Sequence, residues 1–325
     1  MVFWATGACP QHWKKPRIFC MEVMSHERQN VHLDKARITW LENFNLDNID
    51  VVVRLLDQHD PERRKRILSN GDAFLELCRF MQSGSSWRLY TPVINPRISV
   101  WTFYKRIRSW NEKGVLTAVY QALLRMYSEA KLSRNPAAFK ETYIDSSYIK
   151  NIGGIDVVGK NPTDRGRNAT KLSAVVDDSM VPLSLQMYPA NTSDINTMIP
   201  AYEQITCKLR NDNRRTVNVI GDKAYSSKHT TEELKKSNFY VITPLKRLRG
   251  KKGQPSRPSP KKLSAKHKQL LHNRHRIENF FCMVDKFKHV LYRVDKSIGM
   301  FVSLHNFIAC VKILRVASGL KLNLQ

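Results

Sequence analysis

Three carboxylates stand where backbone elements can aim them at one place. Asp145 is predicted at the end of a short strand over 141–144. Asp222 follows Gly221 directly, at the end of a compact apolar strand over 217–220. Glu278 falls in a long helix predicted from Ser264 to about Tyr292. If the two strands are neighbours, both aspartates leave the same sheet edge. Facing carboxylates repel, and one keeps its proton unless a cation separates them. Mg²⁺ suits such a set, because it prefers hard oxygen ligands and retains several waters; Mn²⁺ can substitute. Two such ions about 4 Å apart activate an attacking oxygen and stabilise a leaving one in phosphoryl transfer. Each acid also has a simpler reading. An Asp at a strand end is often a turn former or helix cap. Glu278 lies four residues after Arg274, the spacing of a surface ion pair. Asp285 shares the helical face of Glu278 and competes as third acid, whereas Asp177, Asp178 and Asp194 sit nearer to turns.

The elements that must position these acids are legible as periodicities. Apolar, β-branched runs over 171–176 and 181–188 read as paired strands, with Asp177-Asp178-Ser179-Met180 as their hairpin turn. Helix spacing covers 195–209 and 230–236, and a further strand covers 240–243. The order β-β-β-α-β-α-β predicts a mixed α/β sheet with helices on its faces. Residues 246–268 are dense in Lys and Arg, including Lys251 and Lys252, are broken by Pro and Gly, and hold no acid. They read as a basic loop that tracks phosphates, the alternative being a solubilising linker. Residues 298–320 are apolar but contain His305, Asn306, Lys312 and Arg315, which predicts a buried helix and no membrane span.

Ahead of this domain, placed at 139–320, residues 61–135 read as all helical. Ser99 is a predicted N-cap for a helix over 100–113 that Gly114 ends. It carries Lys105, Arg106 and Arg108 beside Trp101, Tyr104 and Trp110, and another helix follows over 115–131. This is the pattern of a helix-turn-helix DNA reader, or equally of a packed bundle with a solvated basic face. Residues 132–138 read as a linker. Residues 1–60 form a poorly defined helical extension, with helices suggested over 34–44 and 49–58.

Lys and Arg number 54 against 28 acids, a formal charge of +26 in 325 residues. Such an excess points to a polyanionic partner, nucleic acid before an acidic membrane surface. The six cysteines include no C-x-x-C pair and read as reduced thiols; the spacing of Cys9, His12, Cys20 and His26 matches no standard zinc motif. No secretory signal is expected at the N-terminus.

Three segments carry a resemblance. Thr142-Tyr143-Ile144-Asp145-Ser146-Ser147, Gly221-Asp222-Lys223-Ala224-Tyr225-Ser226 and Arg274-His275-Arg276-Ile277-Glu278-Asn279-Phe280-Phe281 resemble, in order, the three acidic motifs of DDE transposases. They are most similar to bacterial insertion-sequence families four and five. Residues 80–123 resemble the helical N-terminal domain of the same group. The resemblance implies an RNase H-like catalytic domain behind an all-helical DNA-binding domain. It implies Mg²⁺-dependent hydrolysis at the element ends and attack of the freed 3′-OH on target DNA. Asp145, Asp222 and Glu278 would be the catalytic metal ligands, and Arg274 the Arg of the Y-x2-R-x3-E-x6-K signature, placed on a DNA phosphate. Leu271 stands where that signature has Tyr, and Asp285 where it has Lys, with Lys286 and Lys288 close by. The partners implied are double-stranded DNA, as terminal inverted repeats and target, and further copies of the chain in a homodimer or larger oligomer. The location would be the bacterial cytoplasm and nucleoid, or the nucleus of a eukaryotic host. A decayed or domesticated transposase that only binds DNA, and a metal-dependent nuclease of the same fold, remain as alternatives.

Overall fold

A computed structural model describes residues 46–61, 67–210, 215–244, 263–320 and 322. The helix expected over 34–44, the cysteines and histidines of the first 26 residues, and Lys251 and Lys252 with most of the basic loop lie outside the described residues.

Among the described residues helices come first, and their ends follow local chemistry. After α1 (Leu46–His59), α2 (Asn70–Ser83) starts where the Ser69 side chain accepts the Asp72 N–H and stops at Gly84, whose φ is +69°. Ser99 accepts the Thr102 N–H and starts α3 (Val100–Glu112), as its sequence predicts. Gly114, at φ +66°, turns the chain into α4 (Val115–Arg134), which runs on through the first residues of the expected linker.

The sheet is mixed. Its strands are β1 (Glu141–Asn151), β2 (Gly159–Lys160), β3 (Asn168–Asp177), β4 (Pro182–Pro189), β5 (Val217–Gly221), β6 (Phe239–Ile242) and β7 (Tyr292–Arg293). The main path runs β2-β3-β1-β5-β6, with β4 on β3 and β7 on the far end of β1. β3 and β4 form the expected antiparallel hairpin. Its turn is held by Asp177, whose carboxylate accepts the Ser179 and Val181 N–H groups, while Met180 takes φ +62°. β5 and β6 continue the sheet in parallel with β1. α5 (Asp194–Glu203) is shorter than its periodicity suggests, and α6 (Lys228–Lys236) precedes β6.

Two expectations need correction. Strand β1 does not end at Asp145. It continues to Asn151, with Asp145 opposite Ala174 and the polar pair Ser146-Ser147 opposite Ser173 and Leu172. Those serines read locally as a strand end, but pairing with the long β3 satisfies their backbone and extends the strand. The helix expected from Ser264 to Tyr292 is also broken. α7 (Ala265–His272) ends at Asn273, and α8 (His275–Val284) starts after Arg274. At the break the Arg276 and Ile277 N–H groups donate to Asn273 and Arg274, three residues back. A 3₁₀ turn, Lys288–Val290, then leads into β7.

The last helix, α9 (Ile298–Val316), is long and apolar enough to cross a membrane by length and composition, yet 78% of its most apolar window is buried inside the protein. It packs along α4 and against β4. Asn306 donates to Thr117, Ser303 to Asn111, and Asn48 to the Ala317 carbonyl. Tyr120 on α4 donates to the Pro182 carbonyl of β4. One apolar core therefore includes α1–α4, the sheet and α9.

Candidate active site

Register brings the two aspartates together. β1 and β5 are parallel neighbours with Ile144 paired to Gly221, so Asp145 and Asp222 occupy equivalent next positions on adjacent chains. Gly221 keeps that approach close: a Cβ there would lie 3.1 Å from Ile144 Cγ2 and 3.3 Å from Tyr225 Cβ. Beyond Gly221 the chain turns into a 3₁₀ helix, Lys223–Tyr225, and Asp222 accepts the Lys223 N–H. Glu278 lies in the first turn of α8, which packs on β1.

The three acids meet at one side chain. Arg274 Nη1 lies 3.3 Å from Asp145 Oδ2 and 4.0 Å from Asp222 Oδ1, and Nη2 lies 3.0 Å from Glu278 Oε1. The α7–α8 break places this residue at the head of α8, one turn before Glu278. Asp145 is the most enclosed of the acids at 24% exposure, against 48% for Asp222 and 54% for Glu278. Burial pushes the Asp145 carboxyl up to about 6, with like charge on Asp222 and Asp194 adding to the rise. The Ser146 N–H bond and Arg274 pull the other way and only partly offset it.

Beneath the acids lies a layer that residue spacing alone did not single out. Tyr225, buried, stands with its hydroxyl 2.9 Å from Ser146 Oγ, tying the turn after Asp222 to the residue after Asp145. Burial pushes its phenol far up, so it stays protonated. Lys171, also buried, donates to the Asp194 carboxylate at 2.8 Å and to the Thr192 carbonyl. The available signal was the position of Tyr225, three residues after Asp222 in the second motif.

The other candidate residues are dispersed. Asp285 caps the end of α8, seven residues past Glu278, and burial raises its carboxyl pKa. Asp177 and Asp178 are both ion-paired to Lys131. On α3, Lys105 lies 5.3 Å over the exposed Trp101 ring, and Arg108 pairs with Glu112. Arg106 points inward, where it donates to Asp60 at 3.2 Å and to the Leu68 carbonyl, with only 11% of its side chain exposed. Trp110 is fully buried and donates to the same Asp60. Lys286 and Lys288 are exposed beyond α8.

Residues 141–300 match the family model of the transposase DDE domain. The match runs from the first residue of β1 to the first turn of α9 and contains all three acids and Arg274. Helices α1–α4 precede it. Among solved structures, the chain is similar to the piggyBac transposase in a cryo-EM synaptic complex with hairpin DNA. That likeness has 9% identity over 88% of this chain and 77% of that one, with a TM-score of 0.44. It is also similar to the Mos1 transposase in a paired-end complex with the left transposon end, at 13% identity over 56% of this chain and 60% of that one, with a TM-score of 0.24. No curated protein sequence matches the chain.

Among the described residues, no three His, Cys, Asp or Glu side chains stand close enough to share one metal ion. Arg274 instead stands among the three carboxylates, within 3.0 to 4.0 Å of each. The place nonetheless suits a hard divalent cation in kind. Its donors are three carboxylates, and their oxygens already converge on a positive group that stands in for one.

Proposed function

We propose that the protein is a DNA transposase that hydrolyses a phosphodiester at element ends and transfers the freed 3′-OH into target DNA. One observation carries the reading: acids from three distant segments, all within the DDE domain, converge on a single cationic centre. Asp145, Asp222 and Glu278 would hold Mg²⁺, or Mn²⁺ in its place, as one or two ions. When bound, the metal supplies charge that activates the attacking oxygen and stabilises the leaving one.

The rest falls to the chain itself. β1 and β5 fix the two aspartates on a rigid sheet edge, while α8 brings Glu278 and Arg274 over it. The planar fork of Arg274 matches the oxygens of a strand phosphate. Lys105, Arg108, Lys286 and Lys288, with Lys251 and Lys252, would neutralise the flanking backbone, in keeping with the charge of +26. Insertion-sequence families four and five are the finer assignment suggested by the three motifs. Pairing of two element ends calls for at least a dimer. The working location is wherever the DNA is, nucleoid or nucleus.

The test is Mn²⁺- or Mg²⁺-dependent cleavage and strand transfer with the purified chain and DNA flanking its gene. Asp145→Asn, Asp222→Asn and Glu278→Gln should each lower activity by roughly a hundredfold or more, about 3 kcal/mol of barrier, with DNA binding retained. Full activity in any one of the three would remove that residue from the reaction.

A further inference from the structure

Arg274 does more in this arrangement than pair with a neighbour on its helix. It is the common partner of all three candidate acids, which come from β1, the turn after β5, and α8. Its carboxylate contacts, at 3.0, 3.3 and 4.0 Å, are longer than the roughly 2 Å that a small divalent ion demands of its oxygens. Three carboxylates around one guanidinium leave a formal excess of negative charge, with Asp194 adding to the field at Asp145. The side chain is 27% exposed, and Asp222 and Glu278 about half exposed, so solvent reaches the cluster. The residue sits at the α7–α8 break, where the helical hydrogen-bond ladder is interrupted.

We propose that Arg274 is an internal counter-cation that latches the three acids around itself and must swing out before they close on a divalent ion. The released fork is then free to grip a phosphate, a step that rests on the transposase reading above. Loading and DNA engagement are thereby coupled through one side chain. Removing the charge leaves the acids repelling one another and open to a competing cation. A merely structural Arg274 predicts the opposite, because its loss would loosen the site and weaken any ion held there.

The experiment titrates Mn²⁺ alone into the full chain without DNA and follows free Mn²⁺ by electron paramagnetic resonance. Arg274→Gln should bind Mn²⁺ at least fivefold more tightly than the wild type, and Asp145→Asn should weaken binding at least tenfold. Unchanged or weaker binding in Arg274→Gln, while Asp145→Asn still weakens it, overturns the latch and leaves the three-acid metal site standing. No Mn²⁺ binding in any variant overturns both the latch and the metal-dependent reading. Circular dichroism checks folding. If Arg274→Gln is not native, Arg274→Met, which also removes the charge but keeps an unbranched stem, takes its place. At least twofold tighter binding there supports the latch, and unchanged or weaker binding overturns it.

Discussion

Asp145 has the most strongly perturbed carboxyl in the candidate site, and the sign of that perturbation has a measurable consequence. Its pKa, raised to about 6, means that the folded protein holds the proton more tightly than the unfolded chain does. The stability this confers is fully present below the ordinary Asp value near 4 and is lost as pH rises through 6. At pH 8 and without divalent ions, ionised Asp145 therefore lowers stability. Asp145→Asn, which removes the charge and preserves the shape, should raise the melting temperature at pH 8, by an amount equivalent to about 2 kcal/mol. The advantage should shrink at pH 5. Paired thermal melts at the two pH values check this, and a variant less stable than wild type at pH 8 would contradict it. The same residue shows the limit of local reading. Its identity as a candidate ligand was legible from the motif around it, but its place in the middle of an eleven-residue strand was not. Nothing local distinguishes Ser146-Ser147 as a strand end from Ser146-Ser147 paired with β3.

At the scale of elements, caps and periodicities were read well where they act locally. Ser99 and Gly114 bound α3 and α4 as their sequence predicts, and the structure places Gly84 at the end of α2. Gly84 also carries a tertiary role. Besides its positive φ, a Cβ there would lie 2.9 Å from Lys288 Cβ, in the 3₁₀ turn that leads to β7. Gly84→Ala should cost about 1–2 kcal/mol from the left-handed backbone alone, and more if Lys288 cannot yield, as denaturant unfolding would measure. Helix α9 offers a second test. His305, fully buried, accepts no bond at Nε2, while its Nδ1 lies 2.8 Å from the Phe301 carbonyl. Burial pushes its pKa down to about 4, against smaller opposing effects of that carbonyl and Asp295. The folded state keeps the ring neutral, so stability should fall as pH drops from 6.5 towards 4, by roughly 3 kcal/mol in all. His305→Leu should flatten that part of the stability–pH curve.

For the whole molecule, shared burial is the dominant feature. α4 lies along α9, Tyr120 and Tyr127 of α4 bond to the β3–β4 hairpin, and Lys131 pairs with the buried Asp177 there. A chain of residues 136–325 alone would expose the α9 face that α4 covers. It should be insoluble or molten by circular dichroism and dye binding, whereas a cooperatively melting fragment would show that the sheet folds without the helices.

The amino-acid sequence by itself determined the charge balance, the three acidic motifs, the β3–β4 hairpin and the bounds of α3. All of these depend on residue type, turn chemistry or a short period. Only tertiary structure decided that β1 and β5 are neighbours, that β7 pairs with the far end of β1, that the helix through Arg274 breaks, and that Arg106 points inward to Asp60. Tertiary structure likewise placed Arg274 among Asp145, Asp222 and Glu278, across 129 residues of chain from the first of them. The physical reason is common to these cases. Local periodicity specifies which face of an element is apolar, but partner choice is settled by the burial of many faces at once. The position of one cation among three carboxylates is a consequence of that global packing.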